Sequence, residues 1–265
     1  MRGGLRRRSL LVIPAAFALG AGSATLADAP LVAAGSDLQF ALSEIAERFR
    51  REGGGELRLV FGSSGNLARQ IRQGAPFELF FSADEDYVLA LARDGFTRDE
   101  GAIYAIGRLA LFVPAGSPLG ADGSLADLAR AIEDGRLRRF AIANPEHAPY
   151  GKRAREALER RGLWQKILPF LVYGENVGQA AQFAASGNVQ GAILAHSLVL
   201  APSLAARGSH ALIPAEWHEP LRQRVVLVKH AGPTAERLYA YARSEPARAI
   251  LRRWGFLVPD ETIGR

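Results

Sequence analysis

The 265-residue sequence has no cysteine and a single methionine. Without cysteine there can be no disulfide, thiolate nucleophile or Cys-ligated metal, so stability must come from packing. Long hydrophobic runs are also missing. The apolar run from Leu10 to Leu19 is half the roughly 20 residues that a membrane-spanning helix needs, and nothing later in the chain is longer. No internal sequence repeat or low-complexity tract is present. Among the five histidines, His210 and His218 lack the i, i+4 spacing of a helical zinc pair, and there is no Asp-rich calcium loop. Trp164, Trp217 and Trp254 are scattered as packing residues are.

What is present begins with a leader. Arg2, Arg6, Arg7 and Arg8 precede the apolar run, and small residues follow to Ala27-Asp28-Ala29. This is the pattern of a secretory signal peptide. Residues 1–29 are therefore expected to be removed, leaving about 235 residues for a soluble, exported protein, enough for two lobes. The leader carries four of the 33 basic residues and one of the 27 acidic ones, so the formal excess falls from +6 to +3. The remaining basic residues are interspersed with acidic ones, which argues against nucleic acid as a partner.

From Leu31 onward, short apolar runs alternate with amphipathic stretches. Leu31–Ala34, Leu57–Phe61 and Leu79–Phe81 read as strands, and 40–49, 67–73 and 86–93 as the helices that follow them. Arg108–Val113 is a further strand, broken by Pro114-Ala115-Gly116-Ser117-Pro118, and a second series begins there. It contains strands at 140–143, 170–173 and 192–195, helices at 150–161 and 177–186, a strand at 225–228, and two closing helices near 235–242 and 246–254. Such alternation predicts an α/β architecture of mostly parallel sheets with helices on both faces. The expected lobes are 30–112 with 225–265, and 113–224, with crossings near Val113 and Val225 forming a hinge.

In such sheets ligands bind beyond the carboxyl ends of strands, where helix starts direct unpaired N–H groups at the crevice. The segments "AAGSD", "FGSSGN" and "FFSAD" occupy those positions. Ser36, Ser63 and Ser64 either cap the helices that follow or, with the adjacent N–H groups, hold an oxyanion without any basic side chain. A third reading is a serine hydrolase using Ser64 or Ser63 with His147 or His196. "GSSG" departs from the Gly-x-Ser-x-Gly nucleophile elbow, having two residues between its glycines instead of three.

Five segments together resemble the molybdate-binding proteins of bacterial ABC transporters, periplasmic receptors of the two-lobed class. They are "AAGSDLQFALSEIAERF" (33–49), "FGSSGNLARQIRQGAPFELFFSAD" (61–84), "NPEHAPYGKRAREAL" (144–158), "GENVGQAAQFAASGN" (174–188) and "RRWGF" (252–256). The resemblance implies a tetrahedral oxyanion, molybdate or tungstate, held between two lobes by neutral donors. It implies no catalysis and no cofactor, with molybdenum present only inside the oxyanion and without direct protein ligands. A membrane permease is the implied partner, and the receptor is expected to be a monomer. Carried over by position, the ligand-binding residues are Ser36, Ser64, Tyr150, Val177 and Ala195. Sulfate or phosphate is the alternative ligand.

Two positions depart from the family pattern. Ala195 stands where the family has a tyrosine, so that hydroxyl is missing, and Tyr150 is expected to replace it from another loop. Asp37, directly after Ser36, would repel a divalent anion if it faced one. It is expected to turn away and cap the helix at 39–49. Facing the ligand, it would favour a protonated anion of the hydrogen-phosphate kind.

Overall fold

The computed structural model describes residues Ala29 to Pro259. Apart from Ala29, the expected leader lies outside the described residues. In the first lobe the strands are β1 (Leu31–Gly35), β2 (Arg58–Gly62), β3 (Phe77–Ser82) and β4 (Ala102–Gly107). The second lobe contains β5 (Leu109–Pro114), β6 (Phe140–Ala143), β7 (Leu171–Gly174), β8 (Gly191–Ala195) and β9 (Gly208–Leu212), and β10 (Leu221–Leu227) returns to the first. The strand orders are β2-β1-β3-β10-β4 and β7-β6-β8-β5-β9.

The two sheets are built alike. β1 is parallel to β2 and β3, whereas β10 runs antiparallel to β3 and β4. Correspondingly, β6 is parallel to β7 and β8, and β5 runs antiparallel to β8 and β9. Each sheet is thus mixed, with only its crossover strand reversed. The helices of the first lobe are α1 (Gln39–Arg51), α2 (Ser64–Arg72) and α3 (Glu85–Arg93). Those of the second are α4 (Ala126–Glu133), α5 (Pro149–Arg160), α6 (Trp164–Ile167), α7 (Val177–Ala185), α8 (His196–Val199) and α9 (Pro202–Ala205). α10 (Pro233–Tyr241) and α11 (Glu245–Arg253) close the first lobe.

β1 shows why the sequence takes this form. Side chains alternate across a strand, so Val32 and Ala34 pack with residues of α1, α10 and α11, while Ala33 packs on the opposite face with Leu67, Ile71 and Val88. A strand covered on both sides has no polar face, which is why it reads as a continuous apolar run. The second sheet is centred on a larger cluster that includes Leu111, Phe112, Phe140, Ile142 and Ile193.

The lobe boundaries differ from those expected. The chain leaves the first sheet after Gly107 and enters the second at Leu109, with Arg108 alone between them. Val113 lies inside β5, and Pro114 to Pro118 end that strand rather than join the lobes. The return falls between Leu212 and Leu221, ahead of Val225, because β10 is already paired with β4 from Leu221. The sequence break at the prolines marks the end of the first strand of the second lobe; the actual crossing has no turn and therefore no local signal.

Phe112 is completely buried in β5. Phe112→Ala is expected to lower stability by about 3–5 kcal/mol, against less than about 0.5 kcal/mol for alanine at the exposed edge residue Leu212. Urea unfolding of the two variants beside the parent chain checks this.

Candidate functional site

The strand ends converge on one small cavity between the lobes, lined by Gly35, Ser36, Asp37, Ser63, Ser64, Ala83, Tyr150 and Val177 among others. Four chain segments reach it, and they occupy matching places. In the first sheet β1 leads into a 3-10 turn at Ser36–Leu38 and β2 into α2; in the second, β6 leads to α5 and β7 to α7.

Each helix start presents an N–H group that the helix cannot satisfy. At α7, Asn176 is the N-cap and its Oδ1 accepts from the Gln179 N–H at 3.0 Å. The Gly178 N–H donates to Ser36 Oγ at 3.1 Å. Val177, the first residue of α7, lines the cavity. α5 starts with Pro149, which has no N–H, so Tyr150 carries its first donor. At α2, the Gly65 N–H donates to the His147 carbonyl at 3.0 Å, and Ser64 is the first helical residue.

The hydroxyls are poised as donors. Ser36 Oγ accepts from Gly178, and Ser64 Oγ accepts from the Ala83 N–H at 2.9 Å. A hydroxyl that accepts a bond on one lone pair still has its proton to give. Ser64 is completely buried. Ser63 is differently engaged: its Oγ lies 3.0 Å from His147 Nδ1 across the cleft. The hydrolase reading allowed Ser64 or Ser63 as nucleophile; among the described residues no histidine bonds to Ser64, and Ser63 is the serine that a histidine reaches. The ring of His147 touches the neighbouring serine, and its Nε2 is 3.6 Å from an exposed Glu175 carboxylate.

The lobes are closed on each other. Besides Gly65–His147, Ser63–His147 and Ser36–Gly178, the Ser197 hydroxyl donates to the Asp37 carbonyl at 2.7 Å. A buried ion pair joins Asp84 at the start of α3 to Arg153 of α5 at 3.3 Å. Gly65 fits this closure because a Cβ there would lie 2.6 Å from the His147 carbonyl oxygen.

Four of the five residues expected at the site, Ser36, Ser64, Tyr150 and Val177, line the cavity. Ala195 is buried at the end of β8 and does not line it. Tyr150 is placed as expected but is not used as expected. Its hydroxyl points away toward the crossover strands, where it accepts from Gln223 Nε2 at 3.2 Å and where a Cβ on Gly107 would lie 2.3 Å from it. Tyr150 thus lines the cavity at the start of α5 while its hydroxyl is bonded within the protein.

Asp37 also departs from expectation. Neither the 3-10 turn nor α1 has a side-chain cap, so Asp37 does not cap the helix. Instead it is buried beside the cavity, with Oδ2 accepting from Gln223 Nε2 at 2.6 Å. Gln223 Oε1 in turn accepts from the Tyr104 hydroxyl at 2.6 Å. Burial pushes the Asp37 carboxyl up to about 6, although Gln223, Tyr150 and nearby backbone N–H groups pull the other way. Gln223 was not singled out from the sequence. The available signal was the alternation in β10, where Leu221, Gln223 and Val225 share the buried face.

A two-lobed α/β fold with a donor-lined cavity in its cleft defines a receptor class that closes around small solutes. The family of bacterial extracellular solute-binding proteins matches residues 30–257, and the chain belongs to that family. It is 31% identical over 245 residues to the molybdate-binding protein ModA of Azotobacter vinelandii, covering 90% of this chain and 95% of that one. To the molybdate-binding protein ModA of Rhodobacter capsulatus it is 33% identical, covering 81% and 82%. The solved structure of the Azotobacter vinelandii periplasmic molybdate-binding protein superposes with a TM-score of 0.78 at 29% identity, covering 87% of this chain and all of that one.

Gly65→Ala should hold the lobes apart, since the His147 carbonyl occupies the position of the new methyl group. The variant is expected to fold, to show a larger radius of gyration in solution scattering, and to lose at least about tenfold in anion affinity through the reduced population of the closed form.

Proposed function

We propose that the protein is a periplasmic receptor that captures molybdate, and with nearly equal affinity tungstate, and delivers it as a monomer to an inner-membrane ABC transporter permease. The observation that carries this reading is the convergence of two serine hydroxyls, Ser36 and Ser64, with the N–H groups of Tyr150 and Val177 on one cavity that has no basic side chain in its lining. Similarity to proteins named for molybdate binding supports it. Ala195 takes no direct part.

Neutral donors suit a divalent anion that must be released again. Helix starts spread the compensating positive charge over several dipoles, and no buried salt bridge has to be desolvated or broken. Molybdate and sulfate present the same four acceptor oxygens and no donor, so cavity size separates them. Closure brings donors of both lobes onto one ligand, and the closed surface is what a permease would recognise. A second reading, a receptor for hydrogen phosphate, is favoured by one observation: the Asp37 carboxylate at the cavity, an acceptor where molybdate offers no proton.

Calorimetric titration of the mature chain with molybdate, tungstate, sulfate and phosphate tests the proposal. Micromolar or tighter molybdate binding, about −8 kcal/mol or better, is expected, with sulfate much weaker. Ser36→Ala and Ser64→Ala should each cost about 1.5–3 kcal/mol, roughly 10- to 100-fold. Tight phosphate binding without molybdate binding would establish the second reading instead.

A further inference from the structure

Resting on that oxyanion reading, we infer that Asp37 makes the cavity a proton-sharing site: one proton, held between Asp37 Oδ1 and an oxygen of the bound anion, is part of the complex. For an anion that carries no proton of its own, that proton is taken from solvent on binding.

The inference starts from an unpaired atom. Asp37 is 1% exposed, and its Oδ1 has no hydrogen-bond partner among the described residues. The other carboxylate oxygen is held by Gln223, and the Tyr150 hydroxyl also bonds to the carboxylate. Oδ1 lies beside Gly35, since a Cβ there would be 2.6 Å from it, and both residues line the cavity. Every other group assigned to the ligand is a donor. An anion held by those donors would bring one of its oxygens against Oδ1, two acceptors without a hydrogen between them. In a buried site that contact is strongly repulsive.

No charged group relieves it. From β10, Gln223 faces Asp37; from α5, the Tyr150 hydroxyl; from β4, Tyr104 through Gln223; and from α8, the Ser197 hydroxyl on the Asp37 carbonyl. These are neutral. The hydroxyls of Ser36 and Ser64 are the ones assigned to the ligand, and the buried pair Asp84–Arg153 is internally compensated. A proton is therefore the available way to turn the Oδ1 contact from repulsion into a hydrogen bond.

The balance is simple. With fully deprotonated molybdate, the carboxylate, one solvent proton and the dianion combine into a carboxylic acid donating to an anion oxygen; no bond within the anion changes. With hydrogen phosphate the ligand's own hydroxyl donates to the carboxylate, and no solvent proton is needed. Burial has already raised Asp37 to about 6, and a dianion beside it raises it further. Below that range Asp37 is protonated before the ligand arrives and affinity is flat. Above it, each pH unit costs about tenfold in affinity, because a proton must be recruited.

Isothermal titration with sodium molybdate between about pH 5.5 and about pH 8.5, in pairs of buffers with different protonation enthalpies, tests this on the intact mature chain. The expected result is a molybdate affinity that falls about tenfold per pH unit above the Asp37 range, with close to one proton taken up at about pH 7.5. Asp37→Asn, whose amide supplies a fixed donor, should bind molybdate with no proton uptake and no pH slope. Ser36→Ala should bind more weakly yet keep both. Molybdate binding of constant affinity with no proton taken up overturns the inference and leaves the receptor reading standing. Binding of inorganic phosphate alone, with no proton uptake at about pH 8.5 and loss in Asp37→Asn, overturns the molybdate reading but upholds the shared proton. Silence toward both anions overturns both.

Discussion

In the receptor proposed, the constraint on which the rest of the molecule depends is that a dianion taken out of water must be met on every side by hydrogen-bond donors. A single helix start offers too few. The fold meets the requirement by bringing four chain segments to one point, two from each lobe, so that no single lobe contains a complete site. Ser36 and Ser64 reach it from the first sheet, and Tyr150 and Val177 from the second. On the proposed reading, ligand binding and lobe closure are one event, since the donors are complete only when the lobes meet.

The same requirement explains the doubled architecture. β1 and β2 deliver the first pair of donors, and β6 and β7, which hold the corresponding places in the second sheet, deliver the other pair. The reversed strands β10 and β5 carry the chain between lobes. Around the cavity, cross-cleft contacts fasten the closed form with groups that the ligand does not need. Ser63 and His147 form one such contact and Asp84 and Arg153 another, while Gly65 allows the helix α2 to approach the opposite loop. Gln223, on the crossover strand β10, links Asp37 of the site to Tyr104 and Tyr150 and so joins the binding chemistry to the hinge.

Much of this was legible in the sequence for physical reasons. Strands covered on both faces, such as β1, leave uninterrupted apolar runs, and α1, α5 and α7 leave helical periodicity; these were read nearly to their ends. β4 was not read, because only Arg108 separates it from β5 and no turn residue marks the change of sheet. The short edge strand β9 carries few apolar residues and leaves little signal, whereas α4 went unread although Ala126, Leu128, Ala129, Ala131 and Ile132 are apolar. At the site, residue types at strand ends singled out Ser36 and Ser64, the family resemblance added Tyr150 and Val177, and all four line the cavity. Neither could say which atom of Tyr150 faces the cavity, nor that Asp37 is held inward by a glutamine nearly two hundred positions later. Those depend on packing between distant strands, which local pattern does not encode.

The claim that neutral donors from both lobes surround one oxyanion, with Asp37 as the acceptor among them, is tested most directly by a crystal structure of the molybdate complex. The account predicts anion oxygens within about 2.7–3.2 Å of Ser36 Oγ, Ser64 Oγ, the Tyr150 N and the Val177 N, and one oxygen at a short distance from Asp37 Oδ1. An anion bound by lysine or arginine side chains, or lying outside the cleft with Asp37 turned away, would contradict it.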